Sequence, residues 1–479
     1  MYQDFIDMKL RWIPKLLITK AITLSLLCSG YGTLTAMPGA GDAVLLHNGA
    51  IYYVSPTGSD SDAGTESHPW RTIQKAADTL VAGDTVYIKT GTYEERVEPQ
   101  NSGSVDNYIV YAAYPGATVT IEGANIVVPE WGGLFQIMDK HYVQVSGLRI
   151  VNAGPNLHNP GILVEQSSYI IIKNNYVYHT SDSGIGVWNS ENIIVDHNEV
   201  EGACYNGYNE SISVGGTNGF EVKNNHVHHS QKEGIGVKDG SANGKVFRNH
   251  VQDTNAVGIY VDAWDKHVYN IEVFENVVHN VSADGFAFGS EQGGLLENIR
   301  VYNNVAYNNK WVGIDLHDCC IATHPVRNVQ IVNNTLYNNG WDPWGGGISI
   351  SNPQATEVVI RNNICSQNLY FQIAVDPNVP VQNAMIDHNL IDGYRGTEGE
   401  IYGNDYVEGD PKFINSAVAD FHLRGDSPAI DQGSPTSAPT TDFDGHPRPF
   451  GAGYDIGAYE YIGLTFFIYL PIISRSYIP

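Results

Sequence analysis

Carboxylates, a lysine, a histidine and two tryptophans recur at matching offsets in the middle of this chain, and together they make up the parts list of a site that cleaves a sugar polymer. Four residues after a recurring glycine stand Glu165, Trp188, Lys238, Asp262 and His317. One residue before it stand Glu233, Asp284 and, by rough alignment, Glu210, with Asp239, Trp264, Asp265, Glu291, Asp315 and Asp318 close by. Trp faces stack on pyranose rings, and paired carboxyl groups supply a general acid with a base or nucleophile. Glu233, Lys238, Asp262, Asp265, Glu291 and His317 are therefore candidate catalytic groups, and Trp188, Trp264, Glu210 and Asp239 candidate sugar-binding groups. Asp262 and Glu291 fall one repeat apart, compatible with the ~5.5 Å of a retaining pair; Glu233 and Asp284 fall two repeats apart, nearer the ~9.5 Å limit of an inverting pair. The competing reading of the same residues is the solvated outer face of an acidic protein.

These residues can act together only if something stacks the repeats in register. From Gly161 onward a glycine followed by alternating apolar residues returns at Gly184, Gly234, Gly258, Gly285, Gly313 and Gly347, at intervals of roughly 23 to 34 residues apart from one double interval after Gly184, the mark of a solenoid. A second short apolar run ending in asparagine recurs with it, at Asn175, Asn198, Asn225, Asn249, Asn276, Asn304, Asn334, Asn363 and Asn389. Period-two alternation of Val, Ile, Phe and Tyr predicts strands, and the Gly and Asn punctuation predicts tight turns where positive φ is tolerated. With no helical period between them, parallel strands bury their inner faces only by coiling, each turn on the last at about 4.8 Å. The expected fold is all-β, a single-stranded parallel β-helix. Its asparagines then fall in register as an internal amide ladder. A β-sandwich would set its strands off with hairpin signals instead.

Ahead of the coils, Ile73, Ala76, Ala77 and Leu80 share one apolar face over 72–80 with Thr72 as N-cap, which predicts a helix covering the open end of the solenoid. The segments Tyr53 to Glu66, Pro69 to Ala76, Gly83 to Ile88 and Gly91 to Glu95 resemble, in order, the N-terminus of pectate-lyase-superfamily proteins, which implies a right-handed helix of that kind. Asp410 to Phe413, Phe421 to Asp431, Asp442 to Pro449 and Tyr454 to Glu460 resemble the choice-of-anchor segment that closes many bacterial surface β-helices. The stretches around Asp284 and Asp315 resemble paired motifs of a calcium-dependent pectate-lyase family, which implies these two as metal carboxylates and Ca²⁺ as a possible cofactor. Phe288-Gly289 and Trp311-Val312 stand where that family has a Lys and two further Asp. Lys238 as a lyase base is opposed by Asp239 and Asp262, which favour its protonated form. The acidic loop from Asp60 to Glu66 serves either a structural Ca²⁺ or a turn. His228-His229 has no second ligand pair at metal-binding spacing and is expected in a turn.

The chain carries a formal net charge of -26 over 479 residues, which excludes a nucleic-acid partner and leaves polyuronates dependent on a local cationic cluster. Residues 1–36 read as a secretory signal, with Lys9, Arg11, Lys15 and Lys20 ahead of the apolar run from Ala21 to Leu27 and small residues through Ala36. Four cysteines follow it, too few for a disulfide framework, although a bridge such as Cys320 to Cys365 is permitted. No later stretch is long enough to span a membrane. The expected organisation is signal 1–36, cap and first coils 37–135, coils 136–395, closing segment 396–462 and apolar sorting-like tail 463–479. The expected role is a secreted or surface protein that binds and cleaves an extracellular polysaccharide, by hydrolysis or elimination, or else a non-catalytic adhesin.

Overall fold

The computed structural model describes residues 49–320, 324–341, 344–380 and 383–463. The chain divides into units Met1–Leu45 and Leu46–Pro479, and all described residues belong to the second. The signal-like residues 1–36 and the apolar tail from 464 lie outside them.

One coil serves as a pattern for the rest. Ile185–Trp188 lies in a ten-stranded sheet, Glu191–Asp196 in a thirteen-stranded sheet and Glu199–Glu201 in a second thirteen-stranded sheet. These are called below the site sheet, the long-strand sheet and the short-strand sheet. Each strand pairs in parallel with its counterparts one coil earlier and one coil later, as Ile193 does with Ile170 and Phe220. The expected right-handed parallel β-helix is the fold observed. Down its centre Ile162, Ile185, Ile212, Ile235, Ile259, Phe286, Ile314, Ile348 and Ile373 form one fully buried stack. Each such side chain taken from water stabilises by about 1.5–3 kcal/mol.

The asparagine ladder forms as the register requires. Nδ2 of Asn175 donates to Oδ1 of Asn198, and the relay continues through Asn225, Asn249, Asn276, Asn304, Asn334 and Asn363 to Asn389 at 2.9 to 3.0 Å. The residue before each ladder asparagine takes the left-handed conformation, for example Asn174, His197 and Asn224. The repeat glycines do not. Their requirement is space: a Cβ at Gly184, Gly234 or Gly258 would come within 2.3 to 2.4 Å of Cγ1 of Val200, Val251 or Val278, which point inward from the short-strand sheet. Glycine thus lets two walls of the coil meet, a different reason from the turn chemistry expected of it.

The helix forms at Ile73–Thr79, with Thr72 Oγ1 accepting from Lys75 N and with Ile73, Ala76 and Ala77 buried in the core that continues down the solenoid. Glu95 accepts the Ile73 and Gln74 amides. In the acidic loop, Asp60 Oδ1 receives the Arg71 and Thr72 amides and Oδ2 the Thr72 hydroxyl, so its carboxylate is spent on the turn rather than held open for Ca²⁺. Cys319 is bridged to its neighbour Cys320, while Cys365 and Cys204 are buried free thiols, so the permitted Cys320–Cys365 bridge is not formed.

The closing segment folds back along the coils. Asn303 Nδ2 donates to Thr441 O, Asn333 Nδ2 to Asp455 O and Gly457 O, and Asn362 Nδ2 to Ser434 O. Arg448, fully buried, donates to Glu460 Oε1 at 2.6 Å and reaches Asn303 Oδ1 at 3.3 Å. Among the described residues no helix is long and apolar enough to cross a membrane.

Candidate functional site

The outward positions of the site sheet form two columns. One runs Gly186, Ser213, Gly236, Tyr260, Ala287, Asp315, Ser349, and the other Glu165, Trp188, Gly215, Lys238, Asp262, Gly289. The column expected from sequence is therefore real for Glu165, Trp188, Lys238 and Asp262. His317 follows Gly289 one coil on, its amide bonded to Phe288 O. Glycines in these columns are floors under neighbouring side chains. A Cβ on Gly215 would sit 2.3 Å from the Trp188 ring, and one on Gly236 2.5 Å from the Glu210 carboxyl carbon.

Lys238 and Glu210 form the first node, Nζ to Oε1 at 2.8 Å, with Asn209 Oδ1 at 3.1 Å and the Trp188 ring 5.4 Å from the ammonium. Glu210 Oε2 accepts the Ser213 hydroxyl at 2.6 Å. Burial works against the charge on both partners, but each holds the other ionised: Lys238 is held above the ordinary lysine range and Glu210 below the ordinary carboxylate range. Lys238 is thus protonated chiefly by Glu210 rather than by Asp239, and as a base it is disabled. Gly236→Ala is expected to push Glu210 off its floor and destabilise the fold by about 1–3 kcal/mol in chemical denaturation. Lys238→Met added to that background should cost little more, because the pair is already parted.

The second node is Asp262, 5% exposed. Its Oδ1 accepts the amides of Trp264 at 2.8 Å and of Glu291 at 3.1 Å, so the Glu291 backbone is anchored beside it from the next coil. Tyr260, two residues earlier on the strand, donates its hydroxyl to Glu291 Oε1 at 2.9 Å. Burial, then the Glu291 charge, push the Asp262 carboxyl up to about 7, which leaves it about half protonated at neutral pH. Glu233, one coil before Asp262, is also raised by burial, with the Lys232 ammonium 3.3 Å from Oε2.

The third node joins Asp284, Asp315 and His317. Burial and the Asp315 charge raise Asp284 to about 7; burial opposes protonation of His317, but Asp315, 3.2 Å from Nδ1, raises it to about 9. Ser351 donates to Asp315 and the Val312 amide to Asp284. Ligand atoms of the three residues lie within 4.8 Å of one another. Ca²⁺ takes six to eight oxygens. Here two carboxylates face a protonated imidazole, and Phe288 and Val312 at the neighbouring positions are buried in the wall. The donor set does not fit a calcium centre.

The nodes act on one another through charge, Glu233 on Tyr260 and Glu291 on His317, so they line one face. Asp265 and Asp318 are exposed, the latter paired with His324 at 2.8 Å, and Asp239 lies at a turn. Trp264 sits half-buried at the turn after Asp262. Sequence reasoning missed Tyr260 and the extension of the first node: Asp182, bonded to Asn209 Nδ2 at 2.8 Å and 3.5 Å from His158. Tyr260 was detectable, since it stands two residues before Asp262 on the same outward face. On the short-strand sheet His228 ends the strand His226–His228 rather than lying in the expected turn, with His226 two residues before it on the same face, and the coil register adds Glu199 from the preceding coil.

A model of the right-handed β-helix region matches residues 160–323 and 265–416, together more than half of the chain. The Pel9A-like right-handed β-helix model matches 52–227. The uncharacterized protein YwoF of Bacillus subtilis is 36% identical over 135 residues, 27% of this chain and 29% of that protein. Pectate lyase PEL9 of Emericella nidulans is 30% identical over 139 residues, 26% and 34% of the two chains. The chain thus spans about a third of the length of these curated relatives. The crystal structure of pectate lyase Pel9A aligns with a TM-score of 0.51 at 18% identity, covering 86% of this chain and 96% of that one. PfbA, a surface adhesin of Streptococcus pneumoniae, aligns with a TM-score of 0.50 at 14% identity over 67% and 85%. At these identities the solved structures share the fold alone. With its coils, its inner isoleucine stack and the matched residues in agreement, residues 52–227 matching the Pel9A-like model, the chain belongs to the right-handed β-helix family.

Proposed function

We propose that the protein is an extracellular glycoside hydrolase that holds an extended, neutral polysaccharide along the outer face of the site sheet. The observation that carries this reading is the buried Asp262 carboxyl, raised to about 7, with Glu291 anchored beside it from the adjacent coil. Asp262 acts as the general acid toward the glycosidic oxygen, and Glu291, oriented by the Tyr260 hydroxyl, as the nucleophile or base. Neutral rather than uronate substrate follows from charge: Lys238 and His317 are each committed to a carboxylate, and Asp182, Glu233, Asp284 and Glu291 leave the face acidic. The match to the Pel9A-like model ends at residue 227, before Asp262 and Glu291. The signal-like residues 1–36 support export, and the choice-of-anchor resemblance supports retention at the cell surface.

The test is incubation of the mature protein with neutral and uronate polysaccharides, following reducing ends and the ultraviolet absorbance of unsaturated products together. New reducing ends from a neutral polymer without absorbance are expected. Absorbance from a uronate polymer would replace hydrolysis by elimination, and retained binding with neither signal would make this a glycan-binding surface protein. On the polymer that is cleaved, Trp188→Ala should raise KM by about 2- to 12-fold with kcat unchanged, the loss of about 0.5–1.5 kcal/mol of ring stacking.

A further inference from the structure

The short-strand sheet carries a second constellation, on a different face from the carboxylates. Its outward columns run Tyr176, Glu199, His226, His250 and Tyr178, Glu201, His228, Gln252, His279. Coiling therefore brings together histidines from three successive turns. The His226 and His228 rings stack at 4.3 Å, and His226 and His250 at 5.1 Å. His250 Nε2 meets His279 Nε2 at 2.8 Å, and His228 Nδ1 meets His229 Nδ1 at 2.7 Å. His226 Nε2 is buried with no hydrogen-bond partner.

We propose that Glu199, His226 and His228 form a binding site for a divalent transition metal of the zinc class. One ligand atom from each of the three lies within 4.8 Å of the others, and His228 Nε2 stands 3.2 Å from Glu199 Oε1. Two ligands each about 2.0–2.1 Å from a tetrahedral Zn²⁺ are about 3.3 Å apart, so that pair is already at coordination spacing. Imidazole nitrogens with one carboxylate select zinc and its borderline neighbours over Ca²⁺ or Mg²⁺. Binding through His228 Nε2 requires its ring proton on Nδ1, where it donates to His229 Nδ1, a partner that fixes the tautomer of a ligating histidine. Three protein ligands leave the fourth position to water.

The experiment uses the folded mature protein, freed of any affinity tag, titrated with Zn²⁺ by calorimetry and with Co²⁺ by visible absorption. One equivalent of Zn²⁺ is expected to bind and to raise Tm, because the unfolded chain holds no such site. Loss of an outer partner of a zinc ligand already costs about 10- to 100-fold, so His226→Ala and His228→Ala should each weaken Zn²⁺ binding by about 100-fold or more and abolish the Co²⁺ bands. His267→Ala, an exposed histidine paired with Glu297 elsewhere, should leave binding unchanged. Absence of Zn²⁺ binding by the unaltered protein would overturn the proposal. So would binding that survives both the His226 and the His228 substitutions, or that disappears on Asp315→Ala instead. Melting curves in chelator confirm that each variant is folded, and His226→Ala, at a half-exposed position, carries the test should His228→Ala not fold.

Discussion

Asp262→Asn is expected to lower kcat on the cleaved polymer by about 10²–10⁴-fold, the usual contribution of a positioned general acid. Asn retains Oδ1, so the bonds from Trp264 N and Glu291 N survive and the coil keeps its shape. The same substitution should stabilise the protein in alkali. A carboxyl that titrates near 3.8 unfolded and about 7 folded keeps its proton in the native state after the unfolded chain has lost it. Stability falls as pH rises from about 4 to 7 and then levels off, by at most ~4 kcal/mol for a shift of about three units. Asp262→Asn escapes that loss, so its Tm should exceed the parent's at pH 8 and differ little at pH 4. The parent's activity should decline through pH 7 as the acid ionises. A variant with unchanged kcat, or a pH profile flat through 7, would remove Asp262 from the role of acid.

Asn276→Ala should be the most damaging single change outside the site. The Asn276 side chain accepts from Asn249 N and Asn249 Nδ2 and donates to Val246 O and Asn304 Oδ1, all buried. Alanine takes an acceptor from two buried N–H groups and a donor from a buried carbonyl, at about 1–3 kcal/mol each, so a loss on the order of 4 kcal/mol is expected in urea unfolding. Asn276→Asp should be no milder, because it sets a carboxylate oxygen against Val246 O and Asn304 Oδ1. A loss below 1 kcal/mol would mean that water replaces the ladder.

The coil was legible because its two signals are local: an asparagine after each alternating run, and a glycine before the next. The sense of the glycine was not legible, since contact between Gly184 and Val200 depends on how two walls of one coil meet. Trp188, Lys238 and Asp262 could be aligned by counting from that glycine. Counting faltered at Glu210, where Ser211 takes the glycine's place, and so the true partner of Lys238 was overlooked in favour of Asp239 and Asp262. Tyr260 was passed over because an aromatic residue on a strand usually reads as core. The histidine site was not legible for a deeper reason: Glu199 and His228 are separated by 29 residues, and coil length varies, so no fixed ligand spacing appears in the chain. In a solenoid, adjacency follows the register and not the interval.

The folded-back C-terminal segment changes how the molecule should come apart. A helix of stacked coils behaves as a one-dimensional array in which each unit feels only its neighbours, so unfolding can begin at either end and spread stepwise. Here Asn303, Asn333 and Asn362, on three successive coils, are each tied to the same returning strap, and Arg448 binds it to the first of them. Those coils share a fate. Pulled or heated, the amino-terminal turns can fray one at a time, whereas the strapped turns should let go together, as a single cooperative block.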